Sequence, residues 1–233
     1  MRKVNVRIKP QLAVELAIRK VWARPEGMPR KVLVHGEPGL GKSTAVDRAA
    51  IEHGGFYLRA ETVWSPRDLL EELASCLGLR FKRSDRNSHI NRSIIGRLNE
   101  LDRDEMPVIV IDEFDMLARK LAMTELVRGI YDATDIPFIL VGMTEIERDL
   151  DTAPQFPQRI GERCRFSGID FEDAQKIIAE CCEVELTEDL QRSFWTRTDG
   201  NIRLLLTELA QAEETAWGKG LDSLGVEDLE AAR

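Results

Sequence analysis

The sequence of 233 residues predicts an α/β fold followed by a smaller, wholly helical domain. Three observations predict this class. Short apolar runs alternate with helical patterns through residues 31–168. A glycine-rich turn, residues 36–43, joins a strand-like run to a helical one. From Asp170 onward, every apolar pattern has helical spacing.

The composition describes a globular protein rather than a membrane or exported one. Hydrophobic residues make up 43% and charged residues 32%, and there is neither an apolar span nor a signal-peptide core. The four cysteines form no C-x-x-C pair, which favours reduced, buried thiols in a cytoplasmic protein. The net charge of −8 argues against a globally basic nucleic-acid binder.

The glycine-rich turn fits the phosphate-loop pattern G-x-x-x-x-G-K-[ST] and reads Gly36-Glu37-Pro38-Gly39-Leu40-Gly41-Lys42-Ser43. Its glycines let backbone N–H groups wrap an anion, and the helix that follows adds the positive end of its dipole. Lys42 reaches the β- and γ-phosphates, Ser43 ligates Mg²⁺, and Thr44 lies beside the α-phosphate. The turn therefore predicts a nucleoside triphosphate site.

The flanking patterns predict the elements of the α/β domain. The predicted strands are Lys31–His35, Gly55–Arg59, Pro107–Glu113, Pro137–Gly142 and a short one within Phe156–Phe166. The predicted helices are Gln11–Ala23, Thr44–His53, Pro66–Leu77, Ser88–Arg103, Leu117–Ala133 and Glu145–Leu150.

The strand Pro107–Glu113 carries the second chemical signal. Four consecutive β-branched residues indicate a strand buried on both faces, and it ends in Asp112 and Glu113 at the edge where such sheets bind ligands. This fits a Walker B element. Asp112 then holds Mg²⁺, and Glu113 orients or deprotonates the attacking water.

Two further features have alternative interpretations. Thr144 follows the fourth strand, where it either contacts the γ-phosphate or the lytic water or caps the next helix. Arg159 and, second, Arg163 either reach a neighbouring subunit's γ-phosphate or are surface arginines with a local partner such as Glu162.

A basic segment runs from Arg80 to Arg97, with six basic residues against Asp85 alone. Such a segment can neutralise backbone phosphates with salt-sensitive, sequence-independent affinity. The alternative is a solvated charged face.

The helical domain has four predicted helices: Phe171–Cys182, Leu186–Thr198, Ile202–Trp217 and Val226–Ala232. Thr187-Glu188-Asp189 is a helix-start signal, and Gly200-Asn201-Ile202-Arg203 is a turn. Arg203 is placed to fold back onto bound nucleotide. The predicted domains are an N-terminal helix and linker (1–30), a nucleotide-binding domain (31–168) and a helical lid (169–233).

In this order the phosphate loop, the Asp112–Glu113 strand end, Thr144, the arginines before the lid and Gly200 to Arg203 resemble an AAA+ ATPase. Within that superfamily the chain resembles the target-selecting ATPases of DNA transposition, such as the phage Mu protein B and TnsC-type regulators. The resemblance covers roughly residues 32–229. It implies a three-layer αβα P-loop NTPase fold with a parallel five-stranded sheet and a small C-terminal helical lid.

The resemblance also implies a function: binding ATP with Mg²⁺, assembling as a ring or helical filament around duplex DNA, and presenting that DNA to a transposase. The DNA-facing residues it implies are Arg59, Lys82, Arg83, Arg86 and Arg92. The alternative is a regulatory AAA+ module that assembles with a protein partner and does not bind DNA, which the acidic net charge suits.

Overall fold

Five strands form the central sheet of the computed structural model, which describes residues 1–2, 4, 6–102, 107–151 and 155–230. The strands are β1 (Lys31–Gly36), β2 (Phe56–Arg59), β3 (Ile109–Asp112), β4 (Phe138–Gly142) and β5 (Ile160–Phe166). Their order across the sheet is β2-β3-β4-β1-β5. The sheet is parallel and lies between helical layers, so the predicted three-layer fold is confirmed.

The order of the strands brings the ends of β1, β2, β3 and β4 to one edge of the sheet. In the registers, Arg59 pairs with Asp112, Ile111 with Leu140, and His35 with Gly142. β1, β3 and β4 are buried along their whole length, as their apolar composition requires in a sheet covered on both faces.

The chain divides into two compact units. The α/β unit consists of Ala13–Gly36 and Lys42–Arg165, and the helical unit of Met1–Leu12, Glu37–Gly41 and Phe166–Arg233. The helices up to β5 are α1 (Lys9–Trp22), α2 (Lys42–Glu52), α3 (Pro66–Cys76), α4 (Asn87–Asn99), α5 (Asp115–Ala118), α6 (Leu121–Thr134) and α7 (Ile146–Leu150). A 3₁₀ turn, Pro157–Arg159, precedes β5. The domain boundaries inferred from the sequence stay a prediction.

The helical unit has its own apolar core, which includes Phe194, Leu205 and Leu209. Its elements are α8 (Phe171–Cys181), β6 (Glu185–Leu186), α9 (Glu188–Thr198), α10 (Ile202–Lys219), β7 (Ser223–Leu224) and α11 (Val226–Glu230). The predicted helical C-terminal part is confirmed, with one addition: the short strands β6 and β7 pair in parallel, and Leu186 and Leu224 are buried. Two-residue strands are too short to show an alternating pattern.

Most of the helix predicted over residues 117–133 is present as α6, but the predicted start belongs to a separate helix, α5. Lys120 separates them with an extended backbone (φ −98°, ψ 100°). Its Nζ donates to the carbonyls of Thr62 (2.5 Å) and Trp64 (3.0 Å) in the loop after β2. A tertiary contact therefore overrides a continuous helical pattern.

Other predicted ends shift by a few residues. The helix predicted over residues 88–103 ends at Asn99; the predicted end at Arg103 and the end of the last helix at Ala232 lie outside the described residues.

All four cysteines are free, with Cys181 and Cys182 buried and the other two half-buried. Among the residues described, none of the helices combines the length and apolar character that a membrane crossing needs.

Candidate nucleotide site

The phosphate loop connects β1 to α2, and Lys42 is the first residue of the helix. The Lys42 side chain is buried, and its Nζ donates to the Gly36 carbonyl at 2.7 Å. Gly39 and Gly41 have φ angles of +83° and +85°, a conformation that favours glycine. Ser43 and Thr44 are exposed in the first turn of α2, where phosphate oxygens meet free N–H groups.

The tip of the loop packs against the start of α10, and both segments belong to the helical unit. Asn201 Nδ2 donates to the Pro38 carbonyl at 2.8 Å, and the Arg203 backbone N–H donates to the Gly39 carbonyl at 3.0 Å. A Cβ on Gly39 would lie 2.5 Å from Asn201 Oδ1. The Gly200–Arg203 turn therefore braces the loop. The Arg203 side chain is exposed, and its contact with nucleotide stays a prediction.

Asp112 and Glu113 stand at the end of β3, as the sequence predicts. Asp112 is 3% exposed, and its Oδ1 accepts the Glu113 backbone N–H at 2.9 Å. Glu113 has a φ of +56°, in the left-handed region that non-glycine residues rarely adopt. Strained backbone of this kind clusters at functional sites, where the surrounding structure holds it in place.

Two side chains of β2 bind these two carboxylates. The Tyr57 hydroxyl donates to Asp112 Oδ2, and Arg59 Nη2 lies 3.1 Å from Glu113 Oε1. Burial, followed by the hydrogen bond to Asp112, raises the pKa of Tyr57 well above its ordinary value, while a hydrogen bond with Ser43 acts in the opposite direction. Arg59 was predicted to contact DNA, whereas here it is paired with Glu113.

Tyr57 was missed by the sequence analysis. It is two residues before Arg59, so the two side chains lie on the same face of the strand. Its role follows only from the pairing of β2 with β3, and no local sequence pattern specifies that pairing.

A third carboxylate, which the sequence analysis did not assign to the site, lies at the start of α5 and contacts the segment after β4. Asp115 Oδ1 accepts the Met143 backbone N–H at 3.3 Å, and burial raises the pKa of Asp115. Thr144 is half-buried and has a polar partner. The alternative role of Thr144 as a helix cap was wrong, because Glu145 occupies the N-cap position of α7.

Both candidate arginines have partners within the α/β unit. Arg159 donates from Nε and Nη2 to the two carboxylate oxygens of Asp132, at 2.6 and 3.0 Å. Arg163 is exposed, and its Nε lies 3.3 Å from Glu147 Oε1. Glu162, the predicted local partner, instead binds Arg24 at 2.7 Å. The role of either arginine in a neighbouring site stays a prediction.

The basic segment forms the loop before α4 and most of that helix. Its four candidate DNA-contacting side chains are exposed: Lys82, Arg83, Arg86 and Arg92. None of the four forms an ion pair with a carboxylate of the described residues. Arg97, by contrast, is paired with Glu100 at 3.4 Å.

The oxygen atoms at the sheet edge suit Mg²⁺. A serine hydroxyl and a carboxylate are hard ligands, and Mg²⁺ in nucleotide sites takes one or two protein ligands together with phosphates and water. Within the described part of the chain, no cluster of three His, Cys, Asp or Glu side chains could hold a metal ion alone. Ser43 and Asp112 therefore fit a metal ion that arrives with a triphosphate.

Known proteins of similar sequence and structure were found. A potential ATP-binding protein of Staphylococcus aureus is 32% identical over 136 residues, which cover 54% of this chain and 49% of the relative. The chain thus spans about half the length of that relative.

Three solved structures share the fold at low sequence identity. The crystal structure of Cdc6p from Pyrobaculum aerophilum has a TM-score of 0.72 at 17% identity, covering 97% of this chain and 67% of that one. The structure of the Aeropyrum pernix ORC1 protein in complex with DNA has a TM-score of 0.66 at 19% identity, covering 100% of this chain and 66% of that one. The Thermotoga maritima RuvB Holliday junction branch migration motor has a TM-score of 0.65 at 20% identity, covering 95% of this chain and 66% of that one. At these identities the likenesses establish the fold alone.

A family model described as the AAA domain matches residues 29–150, which is more than half of the chain. The matched range includes the phosphate loop, the β2 residues Tyr57 and Arg59, the Asp112–Glu113 strand end and Thr144. The chain therefore belongs to the AAA domain family of ATPases.

Proposed function

We propose that this chain is a Mg²⁺-dependent ATPase that binds duplex DNA by assembling with further copies of itself. The observation that carries the proposal is the meeting, at one edge of the sheet, of a buried lysine, a serine hydroxyl and two adjacent carboxylates. Lys42 neutralises the β- and γ-phosphates, and Ser43 and Asp112 hold the metal ion. The bound Mg²⁺ supplies positive charge where negative charge develops in phosphoryl transfer.

Glu113 is the base, or the water-orienting group, of the proposed reaction. Its carboxylate is 27% exposed and pairs with Arg59, which is 71% exposed. While the pair is formed, Glu113 Oε1 contacts the guanidinium and is less available to bind a water molecule. A backbone phosphate of DNA competes for the same guanidinium, so DNA binding would release Glu113 and stimulate hydrolysis.

Exposed cations supply the proposed DNA surface. Lys82, Arg83, Arg86 and Arg92 have no carboxylate partner among the described residues, so a phosphate can bind them without displacing one. The net charge of −8 opposes the approach of DNA to a single subunit. Tight binding therefore requires several linked subunits, each adding a few phosphate contacts.

Relatives of known structure support the DNA part of the proposal. The similar ORC1 protein was solved in complex with DNA, and the similar RuvB protein is named as a Holliday junction branch migration motor. A role in selecting targets for a transposase is a narrower proposal. It rests on the sequence resemblance, and none of the similar proteins reported above is named for transposition.

The proposed assembly needs an arginine that acts on a neighbouring subunit's nucleotide. Arg159 donates to both oxygens of Asp132 and also to the Gln155 carbonyl at 2.8 Å, so redirecting it would break three hydrogen bonds. Arg163 is exposed and has a looser pair with Glu147. Arg163 is therefore the better candidate, which reverses the order preferred from the sequence.

A second candidate function is a regulatory ATPase that assembles with a protein partner and ignores DNA. Large apolar side chains near the site favour it: Val63, in the loop after β2, is 82% exposed and Leu121 is 61% exposed. Such side chains suit a protein interface better than a phosphate backbone.

Fluorescence anisotropy with a labelled DNA duplex tests the proposal and separates the two candidates. We expect binding that requires a slowly hydrolysed ATP analogue, weakens steeply as salt rises and is lost in Lys42→Ala. Arg83→Glu should weaken it more than Arg19→Glu, an equal change of charge at another exposed arginine. ATP binding without DNA binding at low salt would favour the protein-partner alternative.

A further inference from the structure

The Tyr57 hydroxyl contacts a side chain that is proposed to hold the metal ion. It donates a hydrogen bond to Asp112 Oδ2. Tyr57 belongs to β2, and Asp112 is at the end of the neighbouring strand β3. The hydroxyl of one strand therefore binds the carboxylate of the next at the point where the metal ion is expected.

We propose that Tyr57 is a positioning residue for the Mg²⁺ ion that accompanies ATP, because its hydroxyl fixes the orientation of the Asp112 carboxylate. This inference rests on the proposed nucleotide site. It assigns Tyr57 no contact with the reacting atoms, and it requires only that the Asp112 carboxylate be held in position for the metal ion.

The surroundings of Asp112 give the physical reason. Its carboxylate is almost fully buried, and a buried charge must be hydrogen-bonded to be tolerated. Oδ1 accepts the Glu113 N–H, and Oδ2 accepts the Tyr57 hydroxyl. With a donor on each oxygen the plane of the carboxylate is fixed. Removing one donor leaves it free to rotate, and such outer partners typically change metal affinity about 10- to 100-fold.

The chain offers a matched control because it has only two tyrosines. The Tyr131 hydroxyl accepts the Arg30 N–H at 2.9 Å and donates to the Met28 carbonyl at 3.2 Å, in a hydrogen-bond network that includes neither Ser43 nor Asp112. Tyr57→Phe and Tyr131→Phe each remove one hydrogen-bonded hydroxyl. Only Tyr57→Phe removes a hydrogen-bond partner of Asp112.

The first test measures ATP affinity by titration calorimetry across a range of free Mg²⁺, with EDTA as the metal-free baseline. In Tyr57→Phe, we expect the Mg²⁺ concentration that produces half of the metal-dependent gain in ATP affinity to rise about tenfold. Its affinity for ATP in EDTA, and both values in Tyr131→Phe, should match wild type. An unchanged or lowered Mg²⁺ requirement in Tyr57→Phe would overturn the proposal.

The second test uses the wild-type protein, so it does not depend on a variant that folds. With ¹³C-labelled tyrosine, the chain gives ring signals from two residues. Adding Mg²⁺ to the ATP-bound protein should move the Tyr57 signals and leave those of Tyr131 in place. Stationary Tyr57 signals, with Mg²⁺ still tightening ATP binding, would refute the role of Tyr57 alone. Absence of any ATP binding would refute the proposed function itself.

Discussion

Removing the Arg59 guanidinium should raise the basal rate of ATP hydrolysis, because the Arg59–Glu113 pair holds the proposed base in an inactive position. The pair has one N–O contact of 3.1 Å, with side-chain exposures of 71% and 27%. Exposed pairs of this kind contribute about 0.2–1 kcal/mol. At this energy, Glu113 is unpaired in only a part of the molecules. Arg59→Ala should raise that unpaired fraction, and with it the hydrolysis rate at saturating ATP, about two- to sixfold.

Salt dependence gives this prediction a second readout. Salt screens an exposed ion pair, so the wild-type basal rate should rise between low and moderate ionic strength, while the rate of Arg59→Ala should change less. The assay is steady-state phosphate release with and without duplex DNA. DNA should stimulate wild type and should no longer stimulate the variant.

Arg192→Ala is the control, because Arg192 is also exposed and also lies 3.1 Å from a carboxylate oxygen, that of Glu188. Its basal rate and its DNA stimulation should match wild type. If Arg59→Ala hydrolyses ATP no faster than wild type and still responds to DNA, the Arg59–Glu113 pair does not restrain the base.

Three further predictions follow from the same structure. Glu113→Gln should keep ATP binding in calorimetry but lower the hydrolysis rate about 10²- to 10⁴-fold, and should prolong the DNA-bound state; a rate near that of wild type would remove Glu113 from its proposed role. Gly39→Ala should lower the free energy of unfolding by about 1–3 kcal/mol, because an added Cβ meets strain and the Asn201 side chain. Gly78→Ala, at φ +71° with nothing within 4 Å of its Cβ, should cost less in the same denaturant titration, and equal losses would contradict the brace. Burial lowers the pKa of Lys31 to about 7, so the unfolded chain holds a proton that the folded one releases, and stability from Lys31 rises between about pH 7 and 10. Lys31→Met should flatten that rise in unfolding free energy, and an identical pH profile in the variant would argue against a neutral Lys31.

The architecture was predictable because its signals are local. The phosphate loop has constrained residues at fixed spacing, and the buried strands ending at Gly36, Asp112 and Gly142 are runs of apolar residues. The parallel sheet that they imply is confirmed. The roles assigned to individual site residues stay predictions.

The features that the sequence did not predict all depend on contacts between distant segments. Lys120 breaks a helical pattern because loop carbonyls 58 and 56 residues away bind its ammonium. Tyr57 contacts Asp112 because β2 pairs with β3, an order that no local pattern specifies. Arg159 forms its ion pair with Asp132 of α6, which is 27 residues away. None of these contacts can be predicted until the order of the strands and the packing of the helices are known.

The central claim is that ATP joins subunits and that only the joined subunits bind a double helix. The most direct measurement is sedimentation velocity of the wild-type protein with a slowly hydrolysed ATP analogue, with and without a long duplex, beside Lys42→Ala. The account predicts large assemblies of wild-type protein on DNA when the analogue is present, and none for Lys42→Ala. Wild-type subunits that remain monomeric at saturating analogue and DNA would contradict it.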